Sequence, residues 1–406
     1  QGEWTATENT ARDALNLRRP NGEHATCVRP TALTAVGRYS DSSTTRDHSE
    51  LRAAVAAEAS YGGHRMSRIL LVSDRPHWSY MQIALAIQKH NPDPSLTIDS
   101  MALKGNEREF LSRQADYDRC LIMGHQMVEG LLGWTGRIPR HWLTGIHSAH
   151  AFDRDLQTTP ERDVPPPARL IRMLAKFHGV NAVSLRLTRL FSNEGLNVTY
   201  TPNGVDTDLF KPMPWIRHQK YRVVAQKETD ADAATAMTSI LNYLADHPEN
   251  SPLVVGCAYT PKHDARKGVS EFIRPVCKKI GAVLVEAKAR SDQHVSPENM
   301  PGWMNTIDCY VCASSSEGFS ISVLEAAACG RLVISTRVGG STELIEDEVN
   351  GFLVDRTVDC IAHHLAWARD HRAEAAEMGR RMRENVVANW SWAVRAPAWI
   401  RFLTES

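Results

Sequence analysis

Residues 314–330 read Ser-Ser-Ser-Glu-Gly-Phe-Ser-Ile-Ser-Val-Leu-Glu-Ala-Ala-Ala-Cys-Gly. The run before them, Asp308–Ala313, is short and apolar and reads as a buried strand; Ile321–Ala328 reads as an apolar helix. A strand that ends in a small polar loop and turns into a helix is the ligand-binding corner of doubly wound α/β folds. Gly318 lets the backbone approach a ligand closely. The helix begins near Ser320, and its free N–H groups point back at the corner, where the helix dipole also favours a diphosphate. Glu317 stands in the loop, where a carboxylate can accept hydrogen bonds from sugar hydroxyls. Glu325 lies eight residues on. That is about two helical turns, on roughly the same side, a place from which it can take the vicinal hydroxyls of a ribose.

Outward from this corner the chain alternates between strand and helix signals, which implies parallel sheets covered on both faces. From Met66 the expected elements are strand Ile69–Ser73, helix Tyr80–Lys89, and strands Arg119–Met123 and Trp142–Ile146. The amphipathic stretch Ala168–Phe177 and strand Ala182–Ser184 complete this half. A second series begins after the turn Pro202-Asn-Gly-Val-Asp: strand Leu253–Gly256, helix Val269–Ile280, strands Ala282–Glu286, Asp308–Ala313, Leu332–Ser335 and Gly351–Val354, and a helical run 373–403 broken near Pro397. Residues 213–250 hold a polar stretch, Lys227–Asp232, and one expected helix, Ala233–Ala245. The expected plan is a half at 66–203, a second half at 204–385, and a last helix, 386–406, returning to the first. Ligands bind in the cleft between such halves, outside the carboxyl ends of the strands.

Two glutamates in the form Glu-Gly-Phe-Ser…Leu-Glu-Ala resemble the signature of retaining family 4 glycosyltransferases, which have the GT-B fold. The segment Ile334-Ser-Thr-Arg-Val-Gly-Gly-Ser-Thr-Glu-Leu-Ile-Glu-Asp, then Asn350-Gly-Phe-Leu-Val, resembles that family's next strand, double glycine and Glu-Leu-Ile turn. Upstream, Thr201-Pro-Asn-Gly-Val-Asp resembles its linker into the second domain, Lys267-Gly268 its phosphate-binding Lys-Gly, and Trp392 its returning tail. The downstream half carries the more specific likeness. The resemblance implies two doubly wound Rossmann-like domains facing a central cleft, and transfer of a sugar, commonly a hexose, from a nucleotide-diphosphate sugar to a hydroxyl with retained configuration.

The resemblance also implies residue roles. Glu317 would contact the donor sugar and Glu325 the ribose. The Gly318, Phe319 and Ser320 backbone would hold the diphosphate, with Gly339 and Gly340 nearby, and Lys267 with Arg266 would neutralise the leaving phosphate. His147, in Thr144-Gly-Ile-His-Ser-Ala-His, resembles a family histidine near the donor sugar and acceptor; His150 is its rival. No catalytic metal and no cofactor beyond the donor are implied. Two departures stand out. The loop after the first strand reads Asp74-Arg-Pro-His-Trp-Ser-Tyr where the family often has a glycine pair, so His77 and Trp78 become acceptor-side candidates. Gly256 is followed by Cys257 instead of the usual Arg, which leaves Lys262, Arg266 and Lys267 to supply positive charge.

Composition sets the remaining bounds. The chain has 406 residues and a formal net charge of zero, which gives no support to a protein built mainly to coat nucleic acid. Basic residues at Arg186–Arg189 nevertheless keep open a modified DNA base as acceptor, as in some phage enzymes of this fold. The leading acceptor is a surface glycan or a lipid-linked molecule. A nucleotide-sugar binder or epimerase without transfer is a third reading. The eight cysteines lie scattered, several inside apolar runs, and read as reduced structural thiols. No run of about 18 apolar residues occurs, so a cytoplasmic enzyme with at most peripheral membrane contact is expected. Residues 1–65 are poor in large apolar side chains and read as disordered, loosely helical or not native to the folded protein, which would begin near Met66.

Overall fold

Two all-parallel sheets organise the fold. The structure is a computed structural model describing residues 68–76, 78–149, 163–213, 251–289 and 294–406. The segment 1–65, the polar stretch Lys227–Asp232 and the expected helix Ala233–Ala245 lie outside the described residues. The first sheet is built from β1 (Arg68–Ser73), α1 (Ser79–Lys89), β2 (Thr97–Ala102), α2 (Glu107–Arg113), β3 (Arg119–Ile122), α3 (Val128–Thr135), β4 (Trp142–Ile146), α4 (Ala168–Leu174), β5 (Gly179–Ala182), α5 (Leu185–Ser192) and β6 (Thr199–Tyr200). The second uses β7 (Val254–Tyr259), α6 (Asp264–Lys267), α7 (Arg274–Ile280), β8 (Val283–Lys288), α8 (Met300–Asn305), β9 (Cys309–Cys312), α9 (Ile321–Ala328), β10 (Leu332–Thr336), α10 (Ser341–Leu344) and β11 (Phe352–Val354). Three helices close the chain: α11 (Val358–Asp370), α12 (Arg372–Asn389) and α13 (Trp392–Glu405).

The strand orders are β2-β1-β3-β4-β5-β6 and β11-β10-β9-β7-β8. In each sheet the order reverses beside its first strand, between β1 and β3 and between β7 and β9. Such switch points open a crevice at the strands' carboxyl ends. The central strands are mostly apolar because helices cover both faces. Ile69, Leu70, Leu71 and Val72 of β1 are all buried, as are Cys309, Tyr310, Val311 and Cys312 of β9. Cys309 and Cys312 are in no disulfide among the described residues.

Two sequence expectations are corrected, one in the first sheet and one near the C-terminus. The strand expected at Ala182–Ser184 is Gly179–Ala182, and Ser184 instead caps α5, its side chain accepting from the Leu187 N–H at 3.3 Å. The basic stretch Arg186–Arg189 lies in α5, whose Leu187 and Leu190 are buried, and Arg186 pairs with Asp163 at 3.0 Å. The C-terminal helical run breaks at Trp390–Ser391, not at Pro397. There Val205 exchanges backbone hydrogen bonds with Trp390 and Trp392, at 2.9 and 3.1 Å, and draws the chain out of the helix. Pro397 sits inside α13, where the buried Trp399, Phe402 and Leu403 hold the helix. That packing outweighs a proline penalty of about 3 kcal/mol. α13 packs against α1 and β3 of the first sheet.

Candidate active site

The loop after β9 is buried and polar. Ser314, Ser315 and Ser316 are at most 1% exposed, and Glu317 is 9% exposed. A buried carboxylate needs charged or hydrogen-bonding partners, and Glu317 has three: Arg266 Nη1 at 2.9 Å, Lys267 Nζ at 2.6 Å and Ser314 Oγ at 2.7 Å. Burial alone would raise its pKa. Lys267 and Arg266 outweigh that and hold the carboxyl well below the usual carboxylate range. Arg266 Nη1 also donates to the Ser316 carbonyl at 2.8 Å. The cations follow β7 and the carboxylate follows β9, so the pairing sits at the second sheet's switch point.

Glu325 differs in kind. It lies on α9, whose N-cap Ser320 makes no side-chain cap. It keeps some contact with solvent, yet burial pushes its pKa up to about 8. Its carboxyl group has no hydrogen-bond or ion-pair partner among the described residues. One glutamate is thus clamped and ionised, and the other is unpartnered.

The loops of the two sheets meet at Gly318. A Cβ there would overlap the His147 carbonyl oxygen, so only glycine fits. The Gly340 N–H donates to the Gly318 carbonyl at 2.9 Å, which joins the Gly339-Gly340 turn to the same loop. Phe319 packs on the ring of Trp390, 5.0 Å between centroids. His147 follows β4. Its ring meets Tyr80 edge-on at 4.7 Å and lies 6.3 Å from Trp399. Burial, with a smaller effect from His125, lowers its pKa to about 3, so the ring is neutral.

Trp78 sits at the N-cap of α1, after β1. The Arg75 guanidinium lies 4.9 Å from its ring centre and Lys262 Nζ 5.8 Å, the latter reaching over from the turn after β7. Neither cation has an acidic partner among the described residues. Burial and the cations Arg266, Lys262 and Lys267 depress the neighbouring His263 to about 4. The field here is positive, with Glu317 as the carboxylate set against it.

The structure therefore brings Glu317, Arg266 and Lys267 into direct contact. It sets Gly318, Phe319, Ser320, Gly339 and Gly340 around them, Glu325 along the adjoining helix, and His147 and Trp78 on the facing loops. His77 and His150 lie outside the described residues. Sequence reading missed Arg75 and Tyr80, which flank the same loop motif, and Ser314. An Arg and an aromatic at the switch-point end of β1 were the available signal. Two surface cavities, of about 590 and 730 Å³, lie between α13 and the β5–β6 edge and between α10 and α12; neither touches Glu317 or Glu325.

Two parallel sheets whose switch-point loops meet define a GT-B fold. Residues 267–386 match the family model of glycosyl transferases group 1. It is 24% identical over 271 residues to the D-inositol 3-phosphate glycosyltransferase of Segniliparus rotundus, covering 61% of this chain and 57% of that protein. To the enzyme of the same name from Salinispora tropica it is 33% identical over 320 residues, covering 70% of this chain and 63% of the other. The chain thus spans less than two thirds of the length of these relatives. Among solved structures, Anabaena HepE in complex with UDP and glucose superposes with a TM-score of 0.56 at 15% identity, covering 84% of this chain and 100% of that one.

Proposed function

We propose that the protein is a retaining glycosyltransferase that moves a hexose from a nucleotide-diphosphate sugar to a hydroxyl of a phosphorylated acceptor. The observation that carries this reading is the asymmetry of the two glutamates. Glu317 draws Arg266 and Lys267 to the switch point of the second sheet, while Glu325 waits unpartnered along the adjoining helix. A diphosphate fits beside those cations and the N-terminus of α9, and a ribose fits at Glu325.

In this reading residues 66–203 supply the acceptor side, 204–385 the donor side, and 386–406 the returning helix. As the sugar–phosphate bond breaks, charge grows on the diphosphate, and Lys267 and Arg266 stabilise it without a metal. The acceptor hydroxyl attacks from the face the diphosphate leaves, and the diphosphate takes its proton. His147, neutral and beside Gly318, is placed to hydrogen-bond a sugar hydroxyl. Arg75 and Lys262 astride Trp78, which have no acidic partner among the described residues, favour an acceptor with an anionic group, and the relatives named for D-inositol 3-phosphate agree with that class. A lipid-linked phosphate acceptor falls within it.

Thermal melts with UDP-, GDP-, ADP- and dTDP-sugars test the donor, because a ligand bound to the folded state raises its melting temperature. One of them is expected to stabilise the protein and to be hydrolysed slowly without acceptor. A flat panel would sink the reading; stabilisation with neither hydrolysis nor transfer would leave a binder.

A further inference from the structure

Asn181 is fully buried within β5, and among the described residues its Oδ1 has no hydrogen-bond partner. His147 Nε2 is buried and unpartnered as well. Strand register explains why both face one spot. Gly145 of β4 pairs with Asn181 of β5. Thr144 pairs with Ile122 of β3, which makes Met123 the next neighbour of Gly145. Side chains alternate along a strand, so His147, two positions beyond Gly145, returns to the same face.

A Cβ on Gly145 would lie 2.6 Å from His147 Nε2, 2.8 Å from the Met123 carbonyl oxygen and 2.9 Å from Asn181 Oδ1. Three polar atoms converge over a residue with no side chain. The Met123 atom is an acceptor. So is the Asn181 oxygen, because Nδ2 of that amide is committed to Thr201 Oγ1 at 2.6 Å. Only a ring nitrogen that carries hydrogen can satisfy such a pair. His147 Nδ1 makes no hydrogen bond among the described residues, so Nε2 is the ring nitrogen that faces the two acceptors.

We propose that Asn181 is a positioning residue: with the Met123 carbonyl above Gly145 it holds His147 as the Nε2–H tautomer, so that Nδ1 offers its lone pair to a hydroxyl in the active site. The last clause rests on the transferase reading; the tautomer does not. The low pKa of His147 agrees with a ring whose tautomer, and not its charge, decides what it can bind. His125 adds to that lowering, and burial depresses its own pKa to about 4.

The test is a nitrogen-15 spectrum of the full chain labelled at histidine, with the His147 signals assigned by their loss in His147→Gln. The wild type is expected to show Nε2 protonated and Nδ1 bare. In Asn181→Leu the signals should move toward the Nδ1–H form or a mixture, and transfer should fall at least tenfold. Asn181→Asp, which keeps an acceptor, should restore the wild-type pattern. Nδ1–H in the wild type, or no change in Asn181→Leu, overturns the proposal. The wild-type spectrum decides the tautomer even if the leucine variant does not fold. An altered tautomer with undiminished transfer removes the functional clause. The expected tautomer in a protein that binds no nucleotide sugar would instead sink the transferase reading and leave the seat intact.

Discussion

The Tyr200 hydroxyl donates to Glu343 Oε2 at 2.5 Å, while the Leu185 N–H donates to Oε1 at 2.8 Å. Glu343 lies on α10, just after Gly339-Gly340, and both donors belong to the first sheet's half. One carboxylate thus satisfies the first N–H of α5 and binds β6. Glu343→Ala strands both donors and is expected to cost about 1–3 kcal/mol. Tyr200→Phe keeps the Leu185 bond and should cost less. Urea unfolding of the two single variants and the double variant measures the coupling, and additivity would refute the link.

Removing Glu317 leaves the buried Arg266 beside Lys267 with no countercharge. Breaking such a pair costs about 3–5 kcal/mol, so Glu317→Gln should unfold at clearly lower denaturant than wild type at pH 7. The sign of the pH effect comes from the depressed folded pKa. The stabilisation is complete above the ordinary value of 4.5 and is lost as pH falls below it. Wild type and Glu317→Gln should therefore converge in strong acid. Parallel stability curves would contradict the clamp.

Glu325 predicts the opposite trend. Its folded pKa, near 8, lies above the ordinary 4.5, so between those values the folded state binds a proton that the unfolded chain has released. Stability contributed at this site is greatest below pH 4.5 and declines as pH rises to about 8. Glu325→Gln should match wild type near pH 5 and exceed it by roughly 3 kcal/mol at pH 9, at about 1.4 kcal/mol per pKa unit with allowance for solvent contact. The same variant should bind the donor less well. A wild type as stable at pH 9 as at pH 5, relative to the variant, would disprove the burial of this carboxylate.

Arg75 and Lys262 should matter for the acceptor and little for the fold. Each charge-assisted bond to a phosphate is worth about 1.5–3 kcal/mol. Arg75→Ala and Lys262→Ala should each raise KM for a phosphorylated acceptor at least tenfold, with the unfolding midpoint unchanged. Salt should weaken acceptor binding in the wild type and less so in the variants. Equal loss with a neutral acceptor would point to the donor diphosphate as their target.

The sheets were legible because helices cover both faces: β1, β3, β4 and β9 are mostly apolar and buried and leave few alternatives. β2 was not seen. It reads Thr-Ile-Asp-Ser-Met-Ala, lies at a sheet edge, and buries only Ile98. β5 was placed too late because the fully buried Asn181 breaks its apolar run. Within the site, the order of loop and helix around Gly318 and Ser320 was set by local spacing. The grip of Arg266 on Glu317 was not, since the partners stand 51 residues apart and meet only through the pairing of β7 with β9. Contacts such as Lys262 with Trp78 depend on how two sheets face each other, which no run of residues encodes.

Val205 and Ser391 lie side by side, on the outbound and homebound crossings of the chain between the sheets. Both tethers are fastened at a single place. A substitution at Val205 or Ser391 would therefore loosen both tethers at once.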